Sequence, residues 1–186
     1  LELNDYYETD THWKQEKLDK VVKHLSTKLN FEYHNSEYQK HTYNKFYGVY
    51  YGESAINRKP ETITYLTNDI IKNVDIKYLE NPKLTSVYNK DKLTNLDSYE
   101  VYLDGASSFI EITNNNSKSK KELIIFRDSF GSSLSPLLIE YYNKITIIDN
   151  RYVHSSYIKK LIEFKNQDIL FMYSTLLINN SVTLKG

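Results

Sequence analysis

Three short apolar runs, "ELIIFR", "KITIIDN" and "DILFMY", follow one another late in the chain, with the helical patterns "SSLSPLLIEYY" and "SSYIKKLIEF" between them. Strands that alternate with helices pair in parallel through right-handed crossovers. Continuous apolar runs suit strands covered on both faces. The alternation therefore predicts an α/β fold with a parallel sheet flanked by helices. On the second helix Ile158, Leu161 and Ile162 are expected to face inward. On the first, Pro136 is tolerable only near the opening turn, where no intrahelical N–H is needed.

The 186 residues are the length of one domain, 1–186. Lys plus Arg and Asp plus Glu number 24 each, so no net field holds nucleic acid or an anionic membrane by charge alone. Cysteine is absent, which excludes disulfides, cysteine nucleophiles and Cys-ligated zinc. No apolar run approaches the roughly 20 residues of a membrane helix. The opening "LELNDYYE" has neither an initiator Met nor a basic-then-apolar leader, so the chain reads as the C-terminal part of something longer. Tyrosine occurs 18 times, and its flat face and hydroxyl suit sugar stacking as well as core packing.

Upstream, Leu18, Val21, Val22, Leu25 and Leu29 recur at helical spacing through "EKLDKVVKHLSTKL". Asp10 and Thr11 before it are good N-cap types. Residues 31–44 have no clean period and read as a surface excursion. "FYGVYYGESAIN" is punctuated by Gly48 and Gly52, and "KPETITYL" and "IKNVDIKYL" read as extended pieces. Residues 82–96 read as a connector. "YEVYLDG" and "FIEI" read as strands around a tight turn at Asp104-Gly105, and "NNNSKSKK" as an exposed loop.

Ligands of open parallel sheets bind beyond the carboxyl ends of the strands. Three turns fall there: "RDSFGSS", "DNRY" and "DGASS". Ser129 follows a buried strand and precedes a helix, a position that suits either a cap or a hydroxyl held over helix N-terminal amides. A serine hydroxyl becomes a strong nucleophile only beside an imidazole, which in turn needs an acid to hold its tautomer. "DTH" offers both, Asp10 and His12. The rival reading of "DTH" is a metal site completed by His34 and His41, whose spacing matches no ligand pattern. Trp13 reads as a hydrophobic anchor for the loop.

On these residues the chain resembles the DHHW-motif family, an SGNH-hydrolase-like group akin to the bacterial alginate O-acetylation proteins. "YYETDTHWKQEKL" is similar to its D-x-H-W signature and "FRDSFGSSLSPLL" to its serine block. "FYGVYYGESA" with "ETITYL", "YEVYLDG" and "IIDNRY" are similar to further blocks. The resemblance implies an SGNH-hydrolase-like three-layer fold with a central, mainly parallel sheet. It implies Ser129 as nucleophile, His12 as general base and acid, and Asp10 as the orienting carboxylate. The amides of Ser129 and Gly105 would form the oxyanion hole, Arg151 would hold the acyl group or sugar, and Asp128 would be structural. Family members often carry asparagine where this chain has Ala106, which removes one side-chain donor.

The expected function is a serine-dependent carbohydrate O-acetyltransferase or acetylesterase acting on an exopolysaccharide or cell-wall glycan through an acetyl-serine. It would be extracytoplasmic, use no cofactor and bind no nucleic acid, with a membrane-bound O-acyltransferase as acetyl donor. The alternative is a non-catalytic polysaccharide-binding or assembly protein that retains the fold. A metal-dependent hydrolase is the third reading.

Overall fold

A computed structural model describes residues 1–53 and 58–185, and among these seven strands form two sheets. β1 (Gln39–Phe46) and β2 (Glu61–Thr67) pair antiparallel on their own. β3 (Asp75–Tyr78), β4 (Phe109–Thr113), β5 (Glu122–Arg127), β6 (Lys144–Ile148) and β7 (Asp168–Met172) form the main sheet in the order β3-β4-β6-β5-β7. The helices are α1 (Asp19–Leu29), α2 (Tyr50–Glu53), α3 (Asp69–Lys72), α4 (Phe130–Leu138), α5 (Ser155–Leu161) and α6 (Thr175–Asn179). No helix among the described residues is long and apolar enough to cross a membrane.

The strand-helix alternation from β5 to β7 gives parallel pairing of β5 with both β6 and β7. The sheet as a whole is mixed rather than mainly parallel, because β4 runs antiparallel to β6 and β3 antiparallel to β4. The 114–121 loop between β4 and β5 is shorter than the roughly dozen residues a parallel crossover needs, so β4 must reverse direction.

Period-two alternation divides the sheet into two faces. Leu123 and Ile125 of β5, with Ile145, Ile147, Ile110 and Ile112, pack against Leu134 and Leu138 of α4 and Val22 and Leu25 of α1. Ile124, Phe126, Phe109 and Ile148 face the other way and are covered by Ile158 of α5.

β7 is an edge strand, not a third buried one: Ile169 is 44% and Phe171 66% exposed, although Phe171 stacks on Phe126 at 4.9 Å. On the seven-residue α5 only Ile158 is buried, while Leu161 faces solvent. Pro136 lies in the last turn of α4 rather than the first. Its ring removes the donor for the Ser132 carbonyl, the helix ends two residues later, and a 3₁₀ turn at Ile139–Tyr141 follows.

The segment read as a surface excursion contains β1, whose exposed faces show no apolar alternation. "YEVYLDG" is not a strand. It forms a 3₁₀ turn, Ser98–Val101, and then three successive left-handed residues: Leu103 (φ 54°), Asp104 (φ 57°) and Gly105 (φ 68°). Left-handed backbone costs a residue with a Cβ roughly 1–2 kcal/mol. Opposing this, Leu103 is wholly buried, and the Asp104 carboxylate accepts from Asn81 at 2.9 Å and Asn89 at 2.7 Å. At Gly105 a side chain would also collide with Glu100 Cγ at 2.7 Å.

The strand order makes β6 central and β7 peripheral, which a pair of truncations separates. Ile147→Ala should cost about 2–5 kcal/mol in chemical denaturation. Ile169→Ala should stay within about 1 kcal/mol.

Candidate active site

The segment before α1 carries no long helix or strand, yet it is fixed at several points. Tyr7 donates its amide to the His12 carbonyl at 3.0 Å, and Tyr6 and Trp13 form an isolated antiparallel bridge. Glu61 at the start of β2 accepts the Thr9 amide at 2.8 Å and the Thr9 hydroxyl at 2.7 Å. Gly48 lies so close that a Cβ there would meet the Thr9 carbonyl oxygen at 2.1 Å. The loop is thus held from the β1–β2 side in one conformation.

That conformation sets the side chains of "DTHW". Asp10 Oδ1 accepts from His12 Nδ1 at 2.5 Å and from the His12 amide at 3.0 Å, and its Oδ2 accepts the Val49 amide at 3.0 Å. His12 Nε2 lies 2.7 Å from Ser129 Oγ, so Asp10, His12 and Ser129 form one continuous relay. The short Asp10 contact places the ring proton on Nδ1 and leaves Nε2 to accept from the serine. Burial pushes the Asp10 carboxyl up. The hydrogen bond and charge of His12, with the Val49 and His12 amides, outweigh that and leave its pKa below the ordinary value.

The imidazole is also walled by aromatic rings. Tyr99 stacks on it at 3.9 Å and 11°, and Phe130 packs obliquely at 4.9 Å. Burial raises the Tyr99 hydroxyl well above its ordinary pKa, so it stays neutral. Trp13 anchors the arm as expected of an apolar ring. Its indole N–H adds a polar fastening, donating to Ser133 Oγ at 2.8 Å and to the Phe130 carbonyl at 3.1 Å. Ser133 Oγ in turn bonds the Tyr99 hydroxyl at 2.7 Å.

Ser129 stands at the head of α4, beyond the carboxyl end of β5, where helix N–H groups lack intrahelical partners. Asp128 beside it is structural: it accepts the Phe130 amide at 3.0 Å and the Ser174 amide at 2.7 Å. Arg127 is fully buried. It donates to the carbonyls of Gly105 at 3.2 Å and Ser107 at 3.3 Å and lies 3.5 Å from Asp149. Burial lowers its pKa, and Asp149 opposes that shift.

A cavity of about 230 Å³ opens onto Ser129 and His12, walled by Gly105, Ala106, Arg151 and Tyr152. The expected site residues Asp10, His12, Ser129, Gly105 and Arg151 therefore all lie in or against one site. Two differ in detail from the expectation. The Gly105 amide donates to the Tyr102 carbonyl at 3.1 Å, so it is committed to the turn rather than free for an oxyanion. Arg151 is clamped by Asp149 through 2.9 and 2.6 Å bonds, which raise its pKa, and it presents the rest of its guanidinium to the cavity.

Sequence reasoning missed Asp97, Tyr99, Glu100 and Ser132, which complete the cavity wall. Only Ser132, one helical turn after Ser129, carried a spacing signal. Burial, with Asp10 and Glu100 nearby, pushes the Asp97 carboxyl up. His34 is engaged by Glu140 at 3.0 Å and His41 by Thr67 at 2.8 Å, so neither joins "DTH". Among the described residues no group of three or more His, Asp or Glu is placed to hold a metal ion. Positions 54–57, at the end of the "FYGVYYGESA" block and just after it, lie outside the described residues.

No protein-family model matches the chain, and no curated protein matches it by sequence. Solved structures do. A DHHW family protein from Eubacterium siraeum superposes with a TM-score of 0.77 at 22% identity, over 93% of this chain and 60% of that one. PatB1 of Bacillus cereus with a sulfonyl adduct gives 0.70 at 21% identity, over 94% of this chain and 61% of that one. A second PatB1 structure gives 0.69 at 20% identity, over 94% and 63%. At these identities the likeness is one of fold, and this chain spans about three fifths of the length of each.

Two outcomes follow from the arm. Because the folded Asp10 pKa lies below the ordinary 3.8, its contribution to stability is present above that value and is lost as pH falls through the folded pKa. The stability gap between wild type and Asp10→Asn, read by denaturant titration, should therefore narrow as pH drops from about 6 to about 2. Gly48→Ala should displace the Thr9 backbone and destabilise the protein by about 1–3 kcal/mol, read by the same titration.

Proposed function

We propose that this domain is a serine-dependent O-acetyltransferase or acetylesterase acting on carbohydrate, with an SGNH-like arrangement of its site. The observation that carries this reading is the relay from Asp10 through His12 to Ser129, with 2.5 and 2.7 Å contacts. Likeness of fold to a DHHW family protein supports it, as does likeness to PatB1, which has been seen with a sulfonyl adduct. A sulfonyl electrophile is captured by an activated nucleophile, the property proposed here for Ser129.

In the proposed reaction Ser129 Oγ attacks the acetyl carbonyl while its proton passes to His12 Nε2. Asp10 stabilises the imidazolium through Nδ1–H. The tetrahedral intermediate collapses, His12 protonates the departing alkoxide, and an acetyl-serine remains. His12 then takes the proton of the incoming hydroxyl as it attacks the acetyl carbonyl, and returns it to Ser129 Oγ when the second tetrahedral intermediate collapses and the Ser129 Oγ–C bond breaks. A sugar hydroxyl makes this a transfer and water makes it hydrolysis.

The cavity chemistry supports a polyhydroxylated acceptor: Asp97 and Glu100 accept from hydroxyls, Arg151 donates to them, and Tyr152 offers a half-exposed ring. A separate groove of about 410 Å³ is lined by Tyr6, Trp13, Phe130 and Tyr173. On this reading the polymer is an extracytoplasmic polysaccharide, the acetyl group comes from a membrane-bound acyltransferase, and the domain belongs to a longer protein.

With 4-nitrophenyl acetate, Ser129→Ala should lose at least about a thousandfold in kcat/KM. Equal turnover by the two proteins would overturn the serine mechanism, and equal glycan binding alongside it would favour a non-catalytic polysaccharide-binding protein.

A further inference from the structure

Three serines, Ser132, Ser133 and Ser135, are buried along α4, and two of them are accounted for. Ser133 bonds Trp13 and Tyr99, and Ser135 donates back to the Gly131 carbonyl at 2.7 Å. Ser132 is 2% exposed, yet its Oγ has no hydrogen-bond partner among the described residues. A helical serine usually bonds the carbonyl four residues back. For Ser132 that is the Asp128 carbonyl, already taken by the Gly131 amide at 3.1 Å and Arg127 Nη1 at 3.5 Å.

Of the buried side-chain atoms without partners among the described residues, only Ser132 Oγ belongs to a residue lining the Ser129 cavity. The 105–106 turn of that cavity offers no side-chain donor of its own. Ala106 has no side-chain amide to offer, and the Gly105 amide is spent on Tyr102. A buried hydroxyl without a partner is costly, and such groups are retained where a ligand completes them.

We propose that Ser132 is a catalytic residue: its Oγ–H donates to the carbonyl oxygen of the acyl group bound at Ser129 and to the oxyanion formed from it. This inference rests on the serine reading above. As the Ser129 Oγ–C bond forms, the carbonyl π pair moves onto that oxygen and the Ser129 proton goes to His12. Ser132 keeps its own proton and contributes a hydrogen bond that shortens as charge develops. Together with the Ser129 amide it gives the oxyanion a side-chain donor from the helix, in place of one from the 105–106 turn.

The test is pre-steady-state acylation by 4-nitrophenyl acetate, with thermal melting of each variant. Ser132→Ala should slow acylation by about 10²–10³-fold, the loss typical of one oxyanion donor, with KM little changed. Its Tm should equal or exceed that of wild type, because no internal hydrogen bond is lost. Ser132→Cys, near in shape with a weak donor, should fall between the two and serves if the alanine variant fails to fold.

Acylation of Ser132→Ala within threefold of wild type, with Ser129→Ala inactive, would remove the role of Ser132 while the serine reading stands. A lowered Tm for Ser132→Ala with a parallel loss of rate would make Ser132 structural. If wild type and Ser129→Ala react alike, the serine reading itself falls, and this inference with it.

Discussion

A guanidinium without solvent contact stands at the end of β5, and the rest of the site is arranged around it. A buried charge is tolerable only when paired and hydrogen-bonded, so Arg127 dictates where its neighbours lie. Asp149 at the end of β6 supplies the countercharge, and the carbonyls of Gly105 and Ser107 accept from Nη2, while Nε has no partner among the described residues. The left-handed turn is thereby tied to the strand that leads into Ser129. Gly131 completes the arrangement, because a Cβ there would lie 2.5 Å from Arg127 Cβ and force α4 off the strand. Each residue of "RDSFG" thus contributes something different: a charge to organise, a carboxylate to cap, a hydroxyl bonded to His12, a ring against His12, and a gap.

The acid-base arm is stiff without being regular. Gln15, wholly buried, donates to the Ser133 carbonyl at 2.7 Å and accepts the Leu66 amide at 2.8 Å, joining α4 to β2 from a position just beyond Trp13. Side-chain networks of this kind rigidify when fully satisfied. The Tyr99 and Phe130 rings then pack against the His12 imidazole.

Much of this was legible in the sequence, for identifiable reasons. The centres of β5 and β6 are buried on both faces and so are largely apolar, and the Ser129 turn follows from strand giving way to helix. Asp10 and His12 stood out because histidine is scarce in this chain and an acid stands two residues before it. β1 was hidden because a strand exposed on both faces carries no alternation. "YEVYL" alternated but does not form a strand, because Leu103 and Asp104 take left-handed backbone that only tertiary partners sustain. The mixed sheet was equally illegible, since direction depends on which edge a strand reaches. The fate of the Gly105 amide and the isolation of the Ser132 hydroxyl depend on single hydrogen bonds, which no pattern of residue types encodes.

The contacts that fasten the arm to α4 join residues 117 to 120 positions apart. Closing so long a loop is entropically costly and is repaid only once the distant surface exists. As the chain emerges during synthesis, Asp10, His12 and Trp13 come out long before Ser129 and Ser133, so at first the arm has only the β1–β2 side to dock on. A chain stalled before β5 would carry Asp10 and His12 without Ser129. Ser129 itself emerges before β6 and β7, the two strands that β5 pairs with, so arm and serine meet only once the last third of the chain has completed the sheet.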